Sequence, residues 1–361
     1  MPLFFKIHVY MKEYNFKNIN NLFFSGEYEY NISSLINILQ CGMSNLIEGE
    51  IHPREVERQE RLGQNNRRRR RSNPLSGLNK GLSFVSVGAY NKSVIVLCGG
   101  CGFGTKDDEH FEKPISKLNE MLAKNESYLV FVRGANDDPS YFTGEKFKFS
   151  NIVLAEDYSI LRMNGFNCLC IGGGVPFDMQ WKKDQEKITG RTMLFKDSKT
   201  MFDEELMDKL LSEEKIECVI SSDAPSFVPP YEDDVLNSVW TSGNNDLAKD
   251  LLAQRLVFDK VYAKFVQHNK KPRIWCFANR EGACKNICTN NILFMTVRSI
   301  DNTINANGKC VEYFGVQLDG NKGAKLAKKS LKIEPFTISP AELDGIFSMP
   351  VVEEPVNMVR E

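Results

Sequence analysis

Histidine is scarce in this chain. There are four, His8, His52, His110 and His268, in 361 residues, so any site built on several imidazoles has few to draw on. Long apolar runs are missing as well. No stretch approaches the roughly 20 residues a membrane-crossing helix needs. The opening Met1–Tyr10 is apolar but carries Lys6 and His8 and has no small-residue cleavage site, which argues for a first strand over a signal peptide. Net charge is nearly absent, at -1, so attraction to nucleic acid or to an anionic surface must come from a local patch. No internal repeat is visible. A disulfide framework is not indicated either: the ten cysteines are scattered and fall mostly in apolar strand-like runs, among them Cys168, Cys170, Cys218 and Cys276. These features together predict an intracellular protein without a membrane anchor.

What is present is ordinary globular composition, 42% hydrophobic and 26% charged. Short β-rich runs recur at Asn21–Ser25, Val94–Cys98, Tyr128–Val132, Cys168–Gly172, Cys218–Ile220, Arg273–Phe277 and Ile292–Val297. Helical stripes lie between them. One comprises Phe202, Leu206, Met207, Leu210 and Leu211; a longer one comprises Leu247, Leu251, Leu252, Leu256, Val261, Tyr262 and Phe265. Alternating strands and helices predict an α/β fold. Two stretches break the rhythm. Residues 45–92 are polar and contain the run Arg67, Arg68, Arg69, Arg70 and Arg71, which reads as an insertion between a first part, 1–44, and the remainder, 93–302. From 303 to 361 the periodicity fades, which reads as a C-terminal extension.

In α/β folds the chemistry lies on loops that follow strands. The loops here read Gly26-Glu27-Tyr28-Glu29, Gly99-Gly100-Cys101-Gly102-Phe103-Gly104, Gly134-Ala135-Asn136-Asp137, Ser221-Ser222-Asp223-Ala224-Pro225 and Ala278-Asn279-Arg280-Glu281. With the flanking stretches Tyr128–Phe142, Asn151–Asp178 and Val219–Phe227, they resemble the calcineurin-like metallophosphoesterases of the compact bacterial and phage type, over roughly Asn21–Asp301. The resemblance implies two packed mixed sheets flanked by helices. It also implies a site in which two divalent ions about 3.5–4 Å apart clamp a phosphate and activate a water.

The ligand pattern that the resemblance implies is lost at almost every position. Glu27 and Glu29 stand where Asp and His belong, and Gly100 replaces the bridging Asp. Ala135 replaces the Asn ligand, Asn136 the general-acid His, and Ser222 another His. Asn279 and Glu281 stand where the last two His belong. None of the four histidines falls at a motif position. Removing the bridging carboxylate and every imidazole removes the site, since disturbing even a supporting residue of a metal ligand costs about 10–100-fold. Arg280 would place a fixed cation there, within possible reach of Glu27, Asp137 or Glu281. Residues that serve turns, caps and packing (Arg133, Asp137, Asp138, Pro139, Gly172–Gly174, Asp178, Pro225) are retained.

The expectation is therefore a catalytically inactive, phosphoesterase-derived scaffold: a structural or binding subunit of a larger assembly, such as a virus particle or ribonucleoprotein. No cofactor is expected. The rival is a residual or altered phosphoesterase using Glu27, Glu29, Asp137 and Glu281 around one hard metal. The carboxylates Glu27, Glu29, Asp137, Asp223 and Glu281 are of a kind that suits Mg or Ca. Cys101 with Cys284 and Cys288 is a weaker thiolate candidate for Zn, and Cys98-x-x-Cys101 reads more simply as packing at a strand end. The Arg67–Arg71 run is read either as a solvated loop or as an arm that neutralises RNA or DNA phosphates or docks on an acidic protein partner. With no aromatic residue between Asn65 and Asn73, nucleic-acid contact through it is expected to be independent of sequence.

Overall fold

The computed structural model describes residues 11–25, 92–238, 241–278, 287–297, 313–319, 323–329 and 336–338. Among these residues the chain forms two seven-stranded mixed sheets. The first sheet runs in the order β1 (Glu13–Phe16), β6 (Ile160–Met163), β7 (Phe166–Ile171), β8 (Cys218–Ser221), β9 (Ile274–Ala278), β11 (Ile292–Val297), β10 (Ile287–Thr289). The second runs β14 (Phe336–Ile338), β13 (Gly323–Lys329), β12 (Tyr313–Asp319), β2 (Asn21–Ser25), β3 (Ser93–Cys98), β4 (Tyr128–Val132), β5 (Ile152–Ala155). Both centres are parallel: β2, β3, β4 and β5 in one, and β7, β8, β9 and β11 in the other. The α/β class and the parallel-rich, helix-flanked sheets follow.

Strand periodicity explains how the sheets pack. On β3, Val94, Val96 and Cys98 point into a core shared with the other sheet, while Ile95 and Leu97 point outward. The same alternation places Cys168 and Cys170 of β7, Cys218 and Ile220 of β8, and Ile274 and Cys276 of β9 between the sheets. Strands buried on both faces read as continuous apolar runs, which is why they stand out in the sequence. Five thiols thus line one inter-sheet core, and each is fully buried. Burial pushes the Cys168, Cys170 and Cys276 thiols well up, so they behave as packing groups.

Helices cover the outer faces. Helix α1 (Asp108–Lys124) lays Phe111, Ile115, Leu118 and Leu122 over Ile95, Leu97, Leu129 and Phe131. On the other side, α3 (Glu204–Glu213) and α5 (Asn245–Gln267) bury Met207, Leu210, Leu211, Phe258, Val261 and Phe265 against Leu169, Ile171, Val219 and Trp275. Each such side chain contributes about 1.5–3 kcal/mol. Leu256, assigned to the apolar stripe of α5, is 55% exposed; Phe258 is the residue that turns inward. Two shorter helices, α2 (Met179–Thr189) and α4 (Glu232–Leu236), follow β7 and β8. No helix among the described residues is long and apolar enough to cross a membrane.

Sheet pairing also places the stretches that broke the sequence rhythm. β2 pairs with β3 in parallel, Asn21 opposite Ser93, so the Arg-rich stretch falls in the connection between two neighbouring strands. Arg67–Arg71 themselves lie outside the described residues, as does Met1–Tyr10. From the stretch read as a C-terminal extension, β12 pairs with β2, β13 with β12 and β14 with β13, and Leu318 enters the inter-sheet core. Those strands are continuous with the sheet.

Candidate functional site

The loops after β3, β4 and β7 meet at the carboxyl ends of the parallel strands, the place where α/β sheets present ligand-binding groups. Contact between the first two is backbone on backbone. A Cβ added at Gly134 would lie 1.9 Å from the nitrogen of Gly100, so only glycine permits the approach. Gly173 N–H donates to the carbonyl of Arg133 at 2.8 Å, and Gly174 abuts Ala135. Gly100, Ala135, Asn136 and Asp137 are therefore brought together. Glu27, Glu29, Asn279, Glu281, and with them Arg280, lie outside the described residues.

Asp137 is the carboxylate of the cluster, and its oxygens are already engaged. Oδ1 accepts from the backbone N–H groups of Cys101 and Phe103, both at 3.0 Å, and Oδ2 from that of Gly134 at 2.8 Å. Oδ2 is also 3.2 Å from the Cys101 nitrogen. The side chain is fully buried. Burial pushes its carboxyl up, and the surrounding N–H groups of Gly134, Cys101, Phe103 and Gly102 work against that shift. Its role is to clip the glycine-rich loop after β3 onto the loop after β4. In this geometry the Asp137 carboxylate is sealed from solvent and its oxygens are turned to backbone donors.

Asp223, the other described member of the proposed carboxylate cluster, is also committed. It meets Arg255 of α5 at 2.7 Å, with both side chains buried. Arg255 donates further to the carbonyls of Pro225, at 2.7 Å, and Val228. Next to it, the indole N–H of Trp275 donates to Ser221 Oγ at 2.8 Å. Ser222 follows β8 directly, and its buried hydroxyl finds no hydrogen-bond partner among the described residues.

Three further groups frame the cluster. Buried Arg133 pairs with Asp157 at 2.5 Å and donates to the carbonyl of Ser198 at 2.8 Å. Asp157 accepts in turn from Gly172 N–H at 3.0 Å. Asp138 caps a short 3-10 turn, Pro139–Thr143, through Ser140 N–H at 2.9 Å, as its retention in the sequence suggests. Asp178 precedes α2 but makes no capping bond; its carboxylate lies 3.3 Å from the ammonium of Lys182.

Lys182 was not anticipated. Its side chain is 0% exposed, and its ammonium donates to Oδ1 of Asn136. The one sequence signal is the i,i+4 spacing from Asp178, common on solvated helix surfaces, so nothing marks this lysine among its neighbours as buried.

A dinuclear metal centre needs a bridging carboxylate and several imidazole or carboxylate donors. The described part of the site offers Gly100, Ala135 and Asn136, a saturated Asp137 and a buried ammonium, and this donor set does not fit one. Among the described residues no group of three or more His, Cys, Asp or Glu is arranged to hold a metal ion. Cys101 is buried with its Sγ 3.5 Å from the carbonyl of Gly99, Cys288 is exposed, and Cys284 lies outside the described residues.

No protein-family model matches the sequence, and no curated protein matches it. Among solved structures the chain is similar to the cold-active protein-tyrosine phosphatase of a psychrophilic Shewanella species. Identity is 9% and the TM-score 0.35, over 91% of this chain and 83% of that one. A mutant form of a cold-active protein tyrosine phosphatase gives a TM-score of 0.34 at the same identity and coverage. Likeness at this level carries no argument about activity.

Proposed function

We propose that this chain is a metallophosphoesterase-like scaffold without hydrolytic activity, serving as a structural or binding subunit of a larger assembly. The observation that carries the reading is the state of Asp137: the carboxylate kept in the strand-end cluster spends its acceptors on three backbone N–H groups. Two stacked mixed sheets with helices outside are the architecture the resemblance implies, and the order of the loops along the chain is compatible with it. Retention of the turn and clip residues beside loss of the ligand residues is the pattern of a fold kept for its shape.

A binding role draws on two features. Trp181 and Ile188, seven residues apart on α2, are apolar side chains 54% and 75% exposed, available to a partner. The Arg67–Arg71 run supplies the densest local positive charge. In this reading it contacts a protein partner, or the phosphates of RNA or DNA without sequence preference, in the cytoplasm or within a particle.

The test is turnover. Purified protein is assayed on p-nitrophenyl phosphate and bis-p-nitrophenyl phosphate with Mg, Mn or Zn added in turn. The proposal expects rates no higher than those of a heat-denatured control. Metal-dependent turnover abolished by Glu27→Ala would overturn it in favour of a carboxylate-only enzyme.

A further inference from the structure

The misfit between the strand-end cluster and a metal centre has a specific form. A positive charge is present, and the chain itself supplies it. Lys182 reaches from the first turns of α2 to the loop after β4, with its entire side chain withdrawn from solvent. Burying an unpaired ammonium costs many kcal/mol, so a lysine persists in such a place only with oxygen partners. Here they are Oδ1 of Asn136 and the carboxylate of Asp178, at 3.3 Å, itself one-third exposed. Asn136 is 7% exposed and follows directly on Ala135, which abuts Gly174 in the loop after β7. The ammonium therefore ties α2 to the junction of the β4 and β7 loops.

Resting on the reading of an inactive scaffold, we propose that Lys182 is the built-in cation of this centre: its ammonium takes the place of a bound metal in holding the strand-end loops together, and its charge excludes divalent ions. A fixed ammonium has two consequences that a merely packed lysine lacks. It repels a second cation at short range, an effect that the Asp178 carboxylate at 3.3 Å reduces. It also makes the order of the Asn136 loop depend on charge rather than on side-chain volume.

The experiment is nitrogen-15 NMR of the lysine ammonium groups in the full-length protein, with Lys182 assigned by the loss of its signal in Lys182→Arg. The expected result is a slowly exchanging, charged NH3 group at neutral pH that keeps its line width when Mn2+ is added to a tenfold excess. Selective broadening of that signal at one equivalent of Mn2+ would overturn the proposal, because a metal would then sit beside the ammonium. So would a neutral or fast-exchanging amine. Lys182→Met, which keeps the apolar stem and removes the charge, is expected to broaden or lose the Asn136 side-chain amide signals; unchanged signals would show that charge is not what orders the loop. Turnover by the wild type alongside an unbroadened Lys182 signal would defeat the inactive-scaffold reading and leave the lysine assignment standing.

Discussion

Arg255 and Asp223 meet at 2.7 Å in the interior, where the guanidinium of α5 is 1% exposed and the carboxylate follows β8. The pair anchors the long helix to the loop that ends the strand, and Arg255 spends further donors on the Pro225 and Val228 carbonyls. Removing one partner of a buried pair leaves the other charge without compensation. Arg255→Ala is expected to lower stability by about 3–5 kcal/mol, and Asp223→Ala by a similar amount. The check is urea unfolding of both single variants and the double, with the double falling well short of the sum.

Asp137 makes a second prediction. Asp137→Ala strands the N–H groups of Cys101, Phe103 and Gly134, each costing about 1–3 kcal/mol when buried without an acceptor. The expected loss is about 3 kcal/mol or more, read by thermal unfolding. Asp137→Asn retains one acceptor oxygen but turns an NH2 towards donors, and is expected to recover only part of that loss. A metal-ligand role would instead leave apo-protein stability nearly unchanged.

Gly134→Ala is a test of the loop contact itself. The added methyl would fall 1.9 Å from the backbone nitrogen of Gly100, and no side chain is present to give way. The loops after β3 and β4 must separate, at a cost near the top of the range for overpacking, about 3 kcal/mol. A shift in unfolding midpoint no larger than that of a surface substitution would contradict the contact.

Acid sensitivity follows from two depressed carboxyls. Hydrogen bonds from Arg162 hold Glu13 below its usual value, and Lys264 with His268 does the same for Asp208. A group with a lower pKa in the fold than in the unfolded chain adds stability above its ordinary value, about 4, and loses it as pH falls below that. The melting temperature is expected to fall between about pH 5 and pH 3, and to fall less steeply in Glu13→Gln and Asp208→Asn. Parallel profiles in all three proteins would remove these groups from the explanation.

Much of the scaffold is legible in the sequence because doubly buried parallel strands leave continuous apolar runs: Val94–Cys98 and Tyr128–Val132 lie within β3 and β4 almost residue for residue. Helix α3 shows through its stripe. Helix α2 does not, since its one fully buried side chain is the charged Lys182. Of the site, the loops that converge can be located from their glycines and strand-end positions. What those loops do with their polar groups cannot, because it depends on long-range pairings: Asp137 with Cys101, Arg133 with Asp157, Arg255 with Asp223. The strands after 303 are hidden for a related reason, their pairing with β2 bridging nearly three hundred residues of chain.

The most direct measurement is the metal content of the native protein as purified, by mass spectrometry, in moles per mole of chain. An inactive scaffold centred on Lys182 predicts Mn, Fe, Zn, Mg and Ca all far below one per chain. One or two equivalents of Mn, Fe or Zn would contradict it and restore a metal centre to the strand-end loops.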